Sequence, residues 1–547
     1  MRKILFLWPY HEKREPLPPL WALALGTYIK TRLPDVKIRI LDEQITPAQI
    51  ILNKIDGFKP DIVGISPSHA YYQSALKFAR KAKSIGSRVV FGGAYATVVK
   101  QEILKNRGPY SNDYCVDVVI QRDGEKAFYE YVIGKPLSKI NNLIYQTRTE
   151  IKENPIELLD LSRLPPPDRS LINLEEYFLK QGSVGAGGYN IKFLNIYAHR
   201  GCQWREKTGG CIFCCAVEQQ FRSRSCAAVS QEINQLVSDY NINYIKIDGE
   251  DFLGNIKWFK NFAKYYKSSM AGKGFLPSLR ISARIDRINA AIAKILHDIN
   301  VRRIFIGFES GSQNLLKAIR KGTSLATVKK AVELLKRYQI GITGSFILGL
   351  PGETPETARN TLDLINELVS NDFRPGWNIQ LQMFTPLQGS AAWQIFLKKT
   401  ASTIESLFYG TLALSVIESI VAIVGFYLLG VSNPLIWGLA IFITAILPGI
   451  GPMFVWLPVT IIFIVQGDIT QAIITAIFGS LIISTIIDTF LRIKILGYRA
   501  KINPVIMIIG VIGGVTAFGL IGVILGPLIL SLLEVSASIY REIKHEA

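Results

Sequence analysis

The sequence predicts two α/β domains in series, a doubly wound parallel sheet and then a partial (βα)6 barrel, followed by an all-α polytopic membrane segment. Three observations predict this. Short apolar runs alternate with helix-length segments through most of the first 400 of 547 residues. A proline- and glycine-rich stretch interrupts the alternation once, at 141–190. Beyond Ser402 the chain turns into apolar stretches of membrane length.

Residues 1–140 form the first domain. KILFLW (3–8) reads as a buried strand, and a helix begins at the prolines before Leu20. Further strands are expected at 36–42, 60–66 and 87–97, with a fifth strand giving way to a helix within 117–128. Open parallel sheets bind ligands beyond the carboxyl ends of their strands. Ser66, Gly92 and Gly93 lie at such ends and are candidate binding residues. Residues 141–190 are a linker, in which three consecutive prolines (165–167) exclude regular structure. Residues 191–400 hold six further strands, at 193–199, 243–248, 278–285, 302–309, 341–349 and 378–384. Amphipathic helices separate them, and the site of such a barrel belongs at its carboxyl-terminal rim.

Charge is distributed as unevenly as hydropathy. From residue 401 onward six basic residues face seven acidic ones, so the net +19 arises entirely before that point. The basic residues are scattered rather than clustered, as on a solvated surface, and nucleic acid is not an expected partner. A neighbouring anionic membrane face gives that charge a second use.

Four of the six cysteines fall between Cys202 and Cys215, in a chain whose amino terminus is too short in apolar residues for a signal sequence. Such clustering argues for metal binding rather than disulfides. The loop GCQWREKTGGCIFCC follows the first barrel strand directly and so opens onto the rim. Cys202, Cys211 and Cys214 can ligate three irons of a 4Fe–4S cluster and leave the fourth open. A structural zinc site that adds Cys215 is the alternative, disfavoured because adjacent Cys214 and Cys215 make poor joint ligands for one ion.

Several phrases in order, GGAYAT, VIQRDGE, LSRLPPPDR, RGC…CIFC, IKIDGEDF, IGFESGS, SFILGLPGET and TPLQGS, resemble radical S-adenosylmethionine enzymes with an amino-terminal cobalamin-binding domain. The resemblance covers about residues 1–395. It implies a 4Fe–4S cluster and S-adenosylmethionine as cofactors, a 5′-deoxyadenosyl radical as product of their reaction, and methyl transfer from cobalamin. It further implies that Phe213 shields the cluster and that Gly249 and Glu250 meet the amino group of S-adenosylmethionine. Ser282, Arg284 and Glu309 would contact its ribose and carboxylate, and Gly349 would flank its adenine. Two departures stand out. Eight residues separate the first two cysteines where the family has three, and the insertion WREKTGG is expected to loop outward. The D-x-H-x-x-G motif is absent, since Asp42 is followed by Glu, Gln and Ile, so either cobalamin binds without a histidine on cobalt, which is the expectation, or the domain has lost it.

Residues 401–547 resemble the carboxyl-terminal half of the autoinducer-2 exporter-like transporter family, through GVSNPLIWGLAIFITAILPGIGP, DTFLR and INPVIMIIGVIGGVTAFGLIGVILGPLIL. Membrane stretches are expected at 407–429, 435–465, 469–491 and 503–537, with the second bent at Pro448–Pro452 and the enzyme domains in the cytoplasm. Glu418 and Asp488, within apolar runs, are functional candidates by position. The expected protein is thus a membrane-anchored radical enzyme supplied by an external electron donor. Its partners are the lipid bilayer and a small-molecule or lipid substrate. The alternative is a transporter carrying a fused soluble domain; the cysteine triad favours the enzyme, because a passive anchor needs no such loop.

Overall fold

The computed structural model describes residues 2–9, 16–105, 115–184, 192–370, 377–446 and 451–491, with 513, 514, 516, 517 and 519. The chain divides into two compact units, Met1–Gln394 and Ile395–Ala547.

The first unit opens with a seven-stranded sheet. Strands β1 (Lys3–Trp8), β2 (Lys37–Asp42), β3 (Ile62–Ile65), β4 (Arg88–Gly92) and β5 (Val118–Ile120) are parallel, in the order β2-β1-β3-β4-β5. They are short and rich in Val, Ile and Phe because helices cover both faces of the sheet. Phe6, Ile4 and Phe128 pack on one side, and Leu5, Val63 and Phe91 on the other. The expected fourth strand, 87–97, stops at Gly92. Gly93 takes a φ of +87° and starts a helical turn, Gly93–Val98, so the second half of that apolar run is helical.

Over its described residues, 141–184, the segment expected as a linker is more ordered than its composition suggests. Strands β6 (Leu143–Gln146) and β7 (Ile151–Glu153) form an antiparallel hairpin that extends the sheet beyond β5. Helix Leu174–Val184 follows the proline run, which is itself irregular as expected. That helix brings Tyr177 to the end of β2, where its hydroxyl donates to Asp42 Oδ2 at 2.9 Å. Asp42 is buried, and burial outweighs the donors around it, lifting its pKa to about 7. The folded protein therefore holds a proton on Asp42 between about pH 4 and 7 that the unfolded chain has released. Stability should fall as pH rises through that window, by up to ~1.4 kcal/mol per pH unit. Asp42→Asn should reduce the dependence in thermal melts at stepped pH, leaving the part due to neighbouring Glu43, which burial also raises to about 7; an unchanged slope would exclude this origin.

The second sheet has six parallel strands: β8 (Phe193–Tyr197), β11 (Tyr244–Asp248), β12 (Ser278–Ser282), β13 (Val301–Glu309), β14 (Gly341–Leu348) and β15 (Asn378–Met383). They lie in sequence order, which is the expected partial barrel. Their connecting helices start at side-chain caps: Ser225, Asn255, Asn289 and Ser324 each accept a backbone N–H of the following turn. Between β8 and β11, β9 (His199–Arg200) pairs antiparallel with β10 (Arg222–Ser223). This two-residue ribbon ties the base of the cysteine loop.

The second unit is helical. Helix Ala391–Leu428 leads into it, followed by helices Pro434–Ile446, Met453–Val465 and Ile469–Ile477, the last continuing as a wider coil over Phe478–Leu491. The apolar stretch 435–465 is thus two helices rather than one, with Pro452 capping the second and Pro458 inside it. Phe426, Ile441, Trp456 and Ile483 form its core, and Glu418 is fully buried. The side chain of Asp488 and the stretch 503–537, apart from a few residues, lie outside the described residues. Large apolar side chains face outward, among them Phe454, Leu435 and Val465. Among the described residues one helical stretch, Ile469–Ile487, is long and apolar enough to cross a membrane, and three shorter apolar helices accompany it.

Candidate functional site

Beyond the carboxyl ends of β3, β4 and β5 lies a cavity of about 220 Å³. Ser66, Gly92 and Gly93 all line it, as their strand-end positions predict, together with Trp21, Glu125 and Arg200. A side chain on Gly93 would reach within 2.5 Å of Ser66 Oγ, so the backbone there is kept bare. The indole N–H of Trp21 is buried with no acceptor, a donor available to a ligand in the cavity. No histidine is among the lining residues described.

A buried ionic network joins this cavity to the cysteine loop. Arg200 donates to Asp123 Oδ1 at 2.6 Å and to Glu125 Oε1 at 2.5 Å. Arg222, its partner across the β9–β10 ribbon, donates to the other oxygen of Asp123 at 2.5 Å and to Glu218 at 2.9 Å. Asp123 also accepts the backbone N–H of Leu159. The arginines hold its carboxyl below the usual carboxylate range although burial opposes them.

The loop itself carries Cys202, Cys211 and Cys214 as free, half-buried thiols. It is anchored at several points. Gly201 N–H donates to Glu250 Oε2 at 3.1 Å, Ile212 N–H donates to the Ile319 carbonyl, and Cys214 N–H closes a turn onto the Cys211 carbonyl. Burial pushes the Cys202 and Cys211 thiols up, while Arg284 opposes it at both and Lys321 at Cys211. Both cations favour the thiolate that a metal requires. Phe213 packs with Ile212, Leu315, Ile319 and Leu350 as an apolar wall beside the cysteines.

The insertion departs from expectation. WREKTGG does not loop outward as a whole: Gln203–Thr208 is a short helix whose first residues are half-buried, and only Glu206 to Gly209 are exposed. The reason is Trp204. Its indole N–H donates to the Arg320 carbonyl at 2.9 Å, and the Arg284 guanidinium lies 4.6 Å from its ring centroid.

Each remaining rim residue sits at or just past the carboxyl end of its strand: Gly249 and Glu250 after β11, Ser282 ending β12 with Arg284 beyond it, Glu309 ending β13, and Gly349 after β14. Several are already engaged. Glu309, at φ +68°, receives Lys321 Nζ at 2.7 Å, both side chains buried. Arg284 donates to Asp286 at 2.9 Å and to the Lys321 carbonyl at 2.7 Å. Sequence reading missed Lys321, His199 and Asp251. His199 Nε2 accepts the Asp251 N–H at 3.2 Å and its ring occupies the space a side chain on Gly249 would need. Burial lowers the His199 pKa to about 4, so the ring is neutral. Its place immediately before Arg200, Gly201 and Cys202 was the available signal.

The chain thus sets a sheet with a strand-end cavity before a parallel barrel whose first rim loop carries three free thiols. Comparison with known proteins bears this out: the chain carries a B12 binding domain (residues 14–132), a radical SAM superfamily domain (196–365) and an AI-2E family transporter segment (379–542), in that order. An uncharacterised methyltransferase of Pyrococcus horikoshii is 28% identical over 69% of this chain and 78% of its own length. A protein of Aquifex aeolicus that bears a transport-protein name is 38% identical over 26% of the chain, which spans only 41% of that relative. Among solved structures, the radical S-adenosylmethionine methyltransferase TsrM from Kitasatospora setae, with cobalamin and a [4Fe-4S] cluster bound, has the same fold. Its TM-score is 0.58 at 17% identity, covering 70% of this chain and 75% of that one.

Proposed function

We propose that residues 1–400 are a radical S-adenosylmethionine methyltransferase module, divided into a cobalamin domain (1–140), a linker (141–190) and a barrel (191–400), and that the helices beyond it anchor it in a membrane. The observation that carries the reading is the trio of free thiols on the rim loop, beside two buried cations, in a chain whose first sheet holds a strand-end cavity.

Cys202, Cys211 and Cys214 would hold a 4Fe–4S cluster, and Ser66, Gly92, Gly93 and Trp21 the nucleotide tail of cobalamin. A cavity of about 220 Å³ suits an aromatic base rather than a macrocycle, and its lining offers no histidine to cobalt. When bound, the reduced cluster supplies the electron that splits S-adenosylmethionine to the 5′-deoxyadenosyl radical, and cobalamin supplies a transferable methyl group. The chain's own part is to orient and shield. Arg284 and Lys321 lend positive charge to the thiolates, Glu250 fixes the start of the loop, and the wall around Phe213 excludes water. Gly249, Glu250, Ser282, Arg284, Glu309 and Gly349 are the rim positions that would receive S-adenosylmethionine. The deciding experiment is anaerobic reconstitution of the full chain grown with cobalamin, followed by assay for 5′-deoxyadenosine with a low-potential donor. A reconstituted protein that forms none would end this reading.

The exposed apolar helices and the transporter-family match support a polytopic anchor, and the basic residues flanking its spans favour the cytoplasm as the side of the enzyme. Lys398 precedes the first span, and Arg492, Lys494, Arg499 and Lys501 form a second basic group that should share its side. Gly451, at φ +69° just before the helix that starts at Met453, supports a hairpin in the second stretch. Single cysteines at Tyr498 and Ser432, in a background without reactive thiols, should react with an impermeant reagent on intact cells only at 432; labelling at 498 alone reverses the topology.

A further inference from the structure

The insertion between Cys202 and Cys211 grips two of the three thiol-bearing residues at once. The backbone N–H of Glu206, within its helical turn, donates to the Cys202 carbonyl at 3.1 Å. The Arg205 side chain crosses the loop and donates through Nη2 to the Cys214 carbonyl at 2.7 Å. Its Nε is buried and has no partner. Gly210, at φ +84°, leaves the room: a Cβ there would lie 3.3 Å from Arg205 Cβ, Cζ and Nε. Trp204, fixed by the Arg320 carbonyl and stacked on Arg284, stops this helical turn from swinging away.

We propose that this insertion is a cluster clamp, and that Arg205 is a positioning residue that sets the reduction potential and the solvent resistance of the cluster held by Cys202, Cys211 and Cys214. The inference rests on the cluster reading above and adds to it a role for residues that a three-residue spacing could not supply. A one-electron reduction adds negative charge to the cluster. A guanidinium fixed on the backbone of a ligating cysteine stabilises that charge, which raises the potential. By bridging the two ends of the loop, the same side chain closes the path by which water or chelator reaches the cluster.

The test is anaerobic reconstitution of the full chain, wild type and variants, followed by electron paramagnetic resonance during redox titration and by the rate of bleaching with a ferrous-iron chelator. Arg205→Gln should shift the midpoint to more negative potential and bleach several-fold faster. Arg205→Lys, keeping the charge without the planar fork, should recover part of the potential. Gly210→Ala, which displaces the guanidinium without removing it, should shift the midpoint in the same direction as Arg205→Gln. If Arg205→Gln fails to take up iron, the Lys and Gly210→Ala variants carry the measurement. Wild-type potentials and bleaching rates in the variants that load would overturn the clamp alone, provided Cys202→Ala still loses its iron. A wild-type chain that takes up no iron would sink the cluster reading and the clamp with it.

Discussion

Cys202→Ala, Cys211→Ala and Cys214→Ala should each abolish 5′-deoxyadenosine formation, while Cys215→Ala should retain it. All four thiols are free and part-exposed, so exposure does not separate them. What separates them is position. Cys202 and Cys211 share the field of Arg284, Cys211 that of Lys321 as well, and Cys214 turns back onto Cys211 through its backbone. Cys215 lacks that turn contact and follows Cys214 directly, where one ion or one iron cannot use both comfortably. A cluster missing one thiolate loses a covalent tether rather than a contact, so a loss of at least ~100-fold in activity is expected, in line with damage to a metal's immediate surroundings. Iron content and the paramagnetic signal of the reduced protein provide the check. An inactive Cys215→Ala beside an active Cys214→Ala would reverse the assignment.

Asp123→Ala should be the most damaging change outside the cysteine loop. Its carboxylate is wholly buried and receives both Arg200 and Arg222. Removing one partner of a buried ion pair costs roughly 3–5 kcal/mol. Here the arginines are partly exposed and keep Glu125 and Glu218, which places the expected loss near ~3 kcal/mol. Asp123→Asn, which preserves shape and one acceptor, should cost less. Denaturant unfolding of the full-length protein, followed by tryptophan fluorescence, reads the difference. A change below ~0.5 kcal/mol for Asp123→Ala, the range of ordinary surface substitutions, would show that the network contributes nothing net.

Much of this architecture was legible in the sequence because its signals are local. Apolar runs such as 3–8 and 302–309 fit a buried or half-buried strand, and both are strands at nearly those limits. Candidate residues at strand ends fell where a parallel sheet must put them. What could not be read depended on distant partners. Nothing near WREKTGG announces that Trp204 will find Arg284 and Arg320, some 80 and 116 residues on. Lys321 is one lysine among many until β13 ends at Glu309 and meets it. The hairpin β6–β7 was hidden because its short strands lean on β5 for hydrogen bonds rather than on their own pattern.

The stitching of the segment around Asp168 to Gln181 has a consequence for how such a protein is built. Thr27 Oγ1 accepts the backbone N–H of Asp168, and Gln181 donates to the carbonyls of both Pro16 and Phe193. Arg169, buried, reaches the Asn195 carbonyl at 2.7 Å. A protease nick after the proline run would therefore not release two halves, and neither half could be transplanted without carrying these residues along. The smallest exchangeable cassette is the whole of the first unit, whatever boundaries its sequence families suggest.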